Sequence, residues 1–499
     1  MREFLTDKDY ITTKLLLVAK IILAFSFVVF FAPLFILPFF NHPSTDDYFL
    51  GYYLNKEGFW KYQSFIYNNW GGRFSATFVG ALFAKNNWLY NHYYFHSILL
   101  LIANAASVFF TFGVINKYIL KDERLRTNIV WICLLYLVLQ FVCAVEVSTY
   151  NFWFSSAVTY QLPIILLQFQ VGLWIVILQS KSVAIKSIAI IFLPLIVFIV
   201  NGFNELFIVV QAFILLLPLL SKAYKKLNSF FLVVVIIAFI VSAFIVVLSP
   251  GIHERTAIIE PKGILVGGAA LSYHIAETLW SIFSKPLLWV ILFITFLYAN
   301  KRRNDFKKLL FANFFYKKRW LLPATVVILL GAMITIAVIG LKGGVIPDRY
   351  VNGVIVITIS SLLLLSFTEG IFASQIAINI FSLQTRLVLL FTYSICTLSN
   401  NYIKDAYKSI ISAPLYSNIM HNREQTLQQA AITNKIADLT SYNNEMHNLL
   451  EKDYSNSTKT LYDLVQQKPS FIFFEDDLAT EYSINMIRGF YKVDTIIVK

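Results

Sequence analysis

Two adjacent carboxylates, Asp46 and Asp47, directly follow an apolar run that is long enough to cross a membrane. Paired carboxylates at a bilayer surface can act as a general base or bind a divalent cation such as Mg²⁺ or Mn²⁺. A neighbouring like charge also raises the proton affinity of a carboxylate, which suits acid–base chemistry. We therefore predict Asp46 and Asp47 as catalytic residues and as candidate metal ligands. The alternative, that Asp46 caps the following helix while Asp47 is solvated, is the commoner use of such a pair taken alone.

Aromatic residues accompany polar ones at two further places. Trp70 stands three residues before Arg73, and Trp153 and Tyr160 lie in a segment that contains no Lys or Arg. Aromatic rings stack on sugar faces, although a belt of Trp and Tyr at the membrane interface is their commoner use. We include all four residues among the candidate substrate-binding residues.

A carboxylate also lies between two apolar runs, where Asn204 is followed by Glu205. Ionisable groups at that depth are costly and usually functional. The alternative is a hydrogen bond that only holds two helices together. We favour a function for Glu205 and take both residues as candidates for substrate binding.

Two arginines follow breaks in the apolar pattern. Arg255 comes after a Ser-Pro-Gly turn, together with His253, and Arg349 follows Asp348 at the start of a later apolar run. A guanidinium group binds phosphate with a planar fork, although an isolated interfacial Arg more often extends to the headgroups. These four residues complete the predicted substrate site.

Other chemistries lack a signature in the sequence. The histidines show no metal-ligand spacing with Cys or Glu, and the three cysteines, Cys133, Cys143 and Cys396, lie within apolar runs. We find no phosphate-binding Gly-rich loop, no dinucleotide fingerprint and no G-x-S-x-G motif. ATP-driven transport by this chain alone is therefore not expected.

The composition specifies the elements that must position these residues. Hydrophobic residues make up 58% of the 499 positions, charged residues 14%, and the mean hydropathy is +0.66. These values exclude an ordinary soluble domain and predict an all-α polytopic membrane protein, since a spanning helix needs about 20 apolar residues. We predict about eleven spans, at residues 15–40, 93–116, 127–145, 160–178, 184–200, 204–220, 229–248, 285–299, 320–341, 350–368 and 386–401.

Lys and Arg predict the orientation, because they accumulate in cytoplasmic loops. With a cytoplasmic N-terminus, the cytoplasmic loops hold most of the basic residues that give the net charge of +13, so no nucleic-acid partner is expected. The first span is predicted to be a retained signal anchor. The basic residues of these loops are Lys117, Lys121, Arg124, Arg126, Lys181, Lys186, Lys222, Lys225, Lys226, Lys301, Arg302, Arg303, Lys307, Lys308, Lys317, Lys318 and Arg319.

Two domains are predicted. Residues 1–410 form the transmembrane domain, with a first outer loop at 41–92, and residues 411–499 form a small α/β domain. In that domain we predict a strand at 471–474, a helix at 482–491 and a strand at 495–498. An odd number of spans places it outside the cytoplasm.

All five polar clusters fall on the same predicted side of the membrane, which is the key observation. Their order, Asp-Asp-Tyr, Trp-x-x-Arg, a Trp/Tyr/Pro loop, Asn-Glu, Ser-Pro-Gly with a following Arg, and Asp-Arg-Tyr, resembles a family of uncharacterised bacterial multi-spanning membrane proteins. That family is similar in turn to the GT-C superfamily of glycosyltransferases. The resemblance covers residues 1–400 approximately.

The resemblance implies an inverting glycosyltransferase in the bacterial cytoplasmic membrane. It would transfer a sugar from a polyprenyl-phosphate donor to a glycan, lipid or protein acceptor on the extracytoplasmic face. Asp46 or Asp47 would deprotonate the acceptor, with or without a divalent cation, and Arg255 and Arg349 would stabilise the departing phosphate. This sequence has Asp-Asp where better-known members have Asp-Glu or Glu-Asp.

Two other functions are compatible with the sequence. A transporter or flippase of lipid-linked glycans would need polar residues at mid-membrane and an inverted repeat, and neither is evident. A non-catalytic partner of envelope enzymes, with the C-terminal domain as its docking module, is the simplest alternative.

Overall fold

The computed structural model describes residues 7–220, 227–306, 319–376, 378, 382–433, 435–454, 463, 469–472 and 478–498. This part of the chain is helical apart from a sheet of two strands, which confirms the predicted all-α class with a small sheet. The α-helices are α1 Asp7–Ile36, α2 Asp46–Glu57, α3 Phe59–Asn69, α4 Phe74–Ala84, α5 Trp88–Asn91, α6 Tyr94–Ile115, α7 Glu123–Thr127, α8 Ile129–Cys143, α9 Phe154–Gln179, α10 Val183–Asn201, α11 Glu205–Leu220, α12 Ser229–Val247, α13 Pro250–Ile258, α14 Ile264–Phe283, α15 Pro286–Lys301, α16 Arg303–Phe306, α17 Leu321–Gly340, α18 Asp348–Phe372, α19 Leu383–Leu398, α20 Asn401–Ile432, α21 Tyr442–Tyr454 and α22 Glu481–Tyr491. The strands are β1 Ile436–Leu439 and β2 Thr495–Val498, and they pair in parallel.

Seven helical segments of the described chain are long and apolar enough to cross a membrane, or eight if one bent pair is counted as a span. The predicted count of eleven is therefore wrong. The long segments are Lys14–Phe40, Tyr94–Leu120, Phe154–Gln179, Val183–Asn201, Ser229–Ile258, Leu321–Gly340 and Asp348–Phe372.

The remaining four predicted spans correspond to shorter or broken helices. Three are apolar helices of 10–17 residues, at Ile129–Cys143, Glu205–Leu216 and Leu383–Leu398. At 1.5 Å per residue such helices are shorter than the roughly 30 Å hydrocarbon core. The fourth corresponds to α15, which forms a pair with α14 that is bent by 69°.

Side-chain amides join long helices to shorter ones in the interior. Gln170 of α9 and Gln211 of α11 donate to each other at 2.6 and 2.7 Å, and the Asn104 amide of α6 donates to Gln140 of α8 at 2.9 Å. Neutral side chains can satisfy each other in this way in an apolar environment, where unpaired polar groups are expensive.

One end of the helix assembly is basic. Arg302, after α15, contacts Asp122, after α6, at 2.6 Å, and Arg319, before α17, contacts Glu369 in the last turn of α18 at 2.7 Å. Tyr118 of the α6 segment donates to Ser180, after α9, at 3.4 Å. The predicted cytoplasmic loops in the described chain therefore meet at one end, and the predicted loop lysines at 222, 225, 226, 307, 308, 317 and 318 lie outside the described residues.

The C-terminal segment lies at the opposite end. His42, just after the first span, contacts Glu424 of α20 at 3.1 Å and Ser417 of α20 at 2.9 Å. Helix α22 packs against α2, and β2 pairs with β1 beyond the end of α20. The predicted strand at 471–474 lies partly outside the described residues, and positions 471–472 form a turn and a bend.

The arrangement of the two ends predicts a labelling pattern. In a variant without cysteines at 133, 143 and 396, we introduce Trp60→Cys or Lys181→Cys, at exposed positions near opposite ends of the helices. In intact cells, a membrane-impermeant maleimide should label only one of the two variants, and permeabilisation should expose the other. Labelling of both in intact cells would contradict the arrangement.

Candidate functional site

A cavity of about 160 Å³, lined by both polar and apolar side chains, lies at the end of the assembly opposite the basic loops. This volume accommodates about a dozen water-sized atoms, comparable to one hexose. Helices α2, α3, α4, α9, α18 and α22, with the residues that precede α4 and α9, form its walls. The lining residues are Asp46, Phe49, Leu50, Tyr62, Ile66, Trp70, Gly71, Arg73, Ala76, Thr77, Gly80, Trp153, Phe154, Ser155, Ser156, Val158, Thr159, Tyr160, Arg349 and Tyr482.

The Asp47 carboxylate is fully buried and joins three helices. Its Oδ1 accepts hydrogen bonds from the Ser155 amide at 3.1 Å and the Ser155 hydroxyl at 2.5 Å. Its Oδ2 accepts from the Tyr93 hydroxyl at 2.5 Å and the Ser44 amide at 3.2 Å. Because the first amides of a helix have no partner within the helix, Asp47 acts as an N-cap for α9 from a distant part of the chain.

Burial raises the pKa of Asp47 from 3.8 to about 6, and the charge of Asp46 also raises it, while the hydrogen bonds from Ser155, Tyr93 and Ser44 oppose this change. The alternative in which Asp47 is merely solvated is wrong, since its side chain is 0% exposed. Its predicted role as a catalytic base stays a prediction, and its contacts indicate a positioning role.

Asp46 is exposed and lines the cavity, one residue before Asp47 at the start of α2. It is therefore the carboxylate that a molecule in the cavity can reach. A carboxylate has about four lone-pair positions, and the four donors around Asp47 use them. The two aspartates in this arrangement thus do not fit a shared cation, and no group of three His, Cys, Asp or Glu residues in the described chain could hold a metal ion.

Glu205 connects two arginines from distant parts of the chain. Its Oε2 accepts from Nε and Nη2 of Arg73 at 3.3 and 3.1 Å, and its Oε1 lies 3.6 Å from Nη2 of Arg255. Two positive charges face one negative charge, so the group has a net positive charge. Each guanidinium has five N–H donors, so both keep donors for a further anion.

Glycines bring the backbones behind these side chains into contact. A Cβ atom at Gly251 would lie 2.5 Å from the amide nitrogens of Trp70 and Gly71, and one at Gly72 would lie 2.6 Å from Cα of Val246. The Trp-Gly-Gly-Arg and Ser-Pro-Gly segments therefore pack backbone to backbone. This contact explains how Arg73 and Arg255 reach the same carboxylate.

A third arginine of the site, Arg349, is held by an aromatic ring. The guanidinium carbon of Arg349 lies 4.7 Å from the centroid of the Trp153 ring, a cation–π contact, and both residues line the cavity. Tyr160, also in the lining, lies within electrostatic range of Arg73, and its hydroxyl accepts from the side-chain amide of Asn204 at 3.5 Å. Asn204 itself caps α11 by accepting from the Leu206 amide at 3.0 Å.

The structure brings together most of the residues predicted from the sequence. Asp46, Trp70, Arg73, Trp153, Tyr160 and Arg349 line the cavity, and Asp47, Asn204, Glu205 and Arg255 contact residues of its wall. His253 is exposed and does not line the cavity. Asp348 is within electrostatic range of Glu146, His274 and Glu277 instead.

Sequence reasoning missed several residues of the site. Ser155 follows Trp153 by two positions at the start of a helix, where a serine signals a helix N-terminus. Tyr93 begins a predicted span and carries no signal beyond its type. Tyr482 lies in the C-terminal segment, which the sequence predicts to be a separate domain, yet it lines the cavity.

The chain matches no protein-family model, no curated protein and no solved structure. The GT-C resemblance therefore stays a prediction, and the functional argument rests on the cavity.

The backbone contact predicts a stability effect. Gly251→Ala should lower the free energy of unfolding by about 1–3 kcal/mol, because the added methyl group meets backbone that cannot rotate away. The measurement is the thermal midpoint of the purified protein in detergent. Gly331→Ala, which adds a methyl group with nothing within 4 Å, is the control, and an equal effect of both would contradict the contact.

The buried Asp47 predicts a pH dependence of stability. Its pKa is about 6 in the folded protein and 3.8 in the unfolded chain, so the folded protein binds more protons between these values. Stability present below pH 4 is therefore lost as the pH rises through about 6, by up to roughly 3 kcal/mol. Relative to Asp47→Asn, the wild-type thermal midpoint should fall from pH 4 to pH 7, and a constant difference would contradict the assignment.

Proposed function

We propose that the protein is a glycosyltransferase that transfers one sugar from a polyprenyl-phosphate donor to a hydroxyl group of an acceptor. The observation that supports this proposal is a single cavity lined by an exposed carboxylate, two arginines and several aromatic rings. A carboxylate can accept the acceptor proton, arginines can bind the phosphate, and rings can pack against the sugar.

The proposed step is a single displacement. Asp46 accepts the proton of the acceptor hydroxyl while the acceptor oxygen forms a bond to the anomeric carbon of the donor sugar. The bond from the anomeric carbon to the phosphate oxygen breaks, and the polyprenyl phosphate leaves with the electron pair. Attack opposite the leaving group inverts the anomeric configuration.

Arg73 and Arg349 are the arginines proposed to bind the phosphate, since both line the cavity. Arg255 was predicted for this role from the sequence, but it stands behind Gly71 and pairs with Glu205. We assign it the role of holding Glu205 and Arg73 in place and of adding positive charge near the leaving group.

The proposed orientation puts the cavity on the extracytoplasmic side of the bacterial cytoplasmic membrane. The described basic loops meet at the end opposite the cavity, and Lys and Arg accumulate on the cytoplasmic side. The N-terminal end of α1 then lies in the cytoplasm and the C-terminal segment outside. The orientation follows from which helix ends meet and is independent of the number of spans.

The distribution of charge also favours an enzyme over a flippase. In the seven long segments, Lys, Arg, His, Asp and Glu lie within about two turns of an end. A transporter moving a charged headgroup would need such groups or an aqueous path near the midplane.

The proposed base predicts a separation of binding from chemistry. In nanodiscs, Asp46→Asn should lower transfer from undecaprenyl-phosphate-linked [¹⁴C]hexoses by about 10²–10⁴-fold, the usual contribution of a general base. Its Kd for undecaprenyl phosphate should stay within twofold of the wild-type value. Asp494→Asn, an exposed carboxylate in the C-terminal segment, is the matched control.

The arginines predict the complementary result. Arg349→Ala should weaken undecaprenyl phosphate binding tenfold or more, whereas Arg126→Ala, at the basic end, should not change it. Full transfer activity in Asp46→Asn, or unchanged binding in Arg349→Ala, would count against the proposed roles. Transfer should also continue in the presence of EDTA, because the Asp47 oxygens already accept hydrogen bonds and do not fit a shared cation.

A further inference from the structure

The C-terminal helix α22 is packed closely on α2, the helix that carries both aspartates. A Cβ atom at Gly489 would lie 2.4 Å from the Tyr52 ring, and one at Gly51 would lie 2.6 Å from the Phe490 ring. The Phe490 ring also lies 4.4 Å from the Tyr90 ring between centroids. Two glycines facing aromatic rings in this way allow the two helices to approach more closely than larger residues would.

Further contacts join the C-terminal segment to the end of the first span and hold the parts of the segment together. His42 pairs with Glu424, and Arg423 donates to the Thr440 carbonyl at 3.0 Å and pairs with Glu445 at 3.6 Å. The Arg423 side chain is 5% exposed, so these contacts are largely shielded from water. The segment is thus held at several points along its length, and it does not depend on α22 alone.

Tyr482, in the first turn of α22, is the residue of this segment that lines the cavity. Its side chain is 50% exposed, so a molecule in the cavity can reach the ring. Partial burial and the nearby charge of Asp46 raise the pKa of Tyr482 to about 12, so the hydroxyl stays protonated at neutral pH. The ring therefore lies within electrostatic range of the proposed base.

Because Tyr482 lies next to Asp46, its ring is expected to contact the acceptor and not the donor. The acceptor hydroxyl must contact Asp46, whereas the donor phosphate must contact Arg73 and Arg349. A half-exposed aromatic ring offers a flat apolar surface with a polar edge. The apolar face of a pyranose fits such a surface, and the half-exposed position of Tyr482 at the cavity leaves this surface open to an acceptor sugar.

We infer that α22 forms the acceptor side of the site, that the acceptor is a carbohydrate, and that Tyr482 is a specificity-determining residue that stacks on its sugar ring. This inference rests on the proposed function. It makes the C-terminal segment part of the site, so that a chain truncated before α22 would lack one of the cavity walls.

The test uses the full-length protein in nanodiscs, undecaprenyl-phosphate-linked [¹⁴C]hexoses as donors and a panel of methyl glycosides as acceptors. Tyr482→Ala should raise KM for the best methyl glycoside at least tenfold, with kcat changed less than threefold. Its Kd for undecaprenyl phosphate should be unchanged. Tyr482→Phe should behave like the wild type, because the ring is retained.

Arg488→Ala, at another exposed position of α22, is the control for general effects on the helix and should leave KM unchanged. Equal KM values for Tyr482→Ala and the wild type would overturn the inference while the proposed function stands. Binding of undecaprenyl phosphate without transfer to any methyl glycoside would overturn the carbohydrate acceptor. Absence of both binding and transfer in the wild type would instead overturn the proposed function, and the inference with it.

Discussion

The ion pairs of Glu205 with Arg73 and Arg255 are the constraint on which the rest of the site depends. Glu205 lies at the start of α11, Arg73 in the turn before α4 and Arg255 in α13. Their side chains are 20–27% exposed. Two guanidinium groups repel each other in a partly desolvated setting, and the Glu205 carboxylate between them offsets this repulsion. The charge of Glu205 neutralises one of the two arginines, so the group keeps one positive charge. That charge suits the binding of a phosphate.

The two adjacent aspartates show how position along one helix separates two tasks. Asp47 points into the protein and accepts four hydrogen bonds, which connect α2 with the starts of α6 and α9. Asp46 points into the cavity and keeps its exposure. Because the hydrogen bonds of Asp47 fix the start of α2, they also fix the position of Asp46 relative to the arginines. The position of the exposed Asp46 in the site thus follows from the burial of Asp47.

Much of the membrane part could be predicted from the sequence. The seven long segments were all among the predicted spans, because long apolar runs have few other uses. The count was wrong because runs such as Ile129–Cys143 are apolar throughout but form helices that are shorter than the hydrocarbon core. The convergence of Arg73, Glu205 and Arg255 could be expected in outline, since all three lie on the same predicted side of the membrane.

The details of the site could not be predicted, because they depend on tertiary packing. Which aspartate faces the cavity depends on the rotation of α2 against α9, and two adjacent identical residues carry no signal for it. Tyr482 lies more than 400 residues after Asp46, and only the contact of α22 with α2 brings the two together. The backbone contact of Gly251 with Gly71 likewise needs the positions of both segments.

The most direct measurement of the central claim is a cryo-EM map of the full-length protein in nanodiscs with undecaprenyl phosphate. The account predicts phosphate density within hydrogen-bonding distance of the Arg73 and Arg349 guanidinium groups, with the prenyl chain leaving toward the bilayer. Density for the phosphate at the basic end, or a cavity in which the Glu205 side chain contacts neither Arg73 nor Arg255, would contradict it.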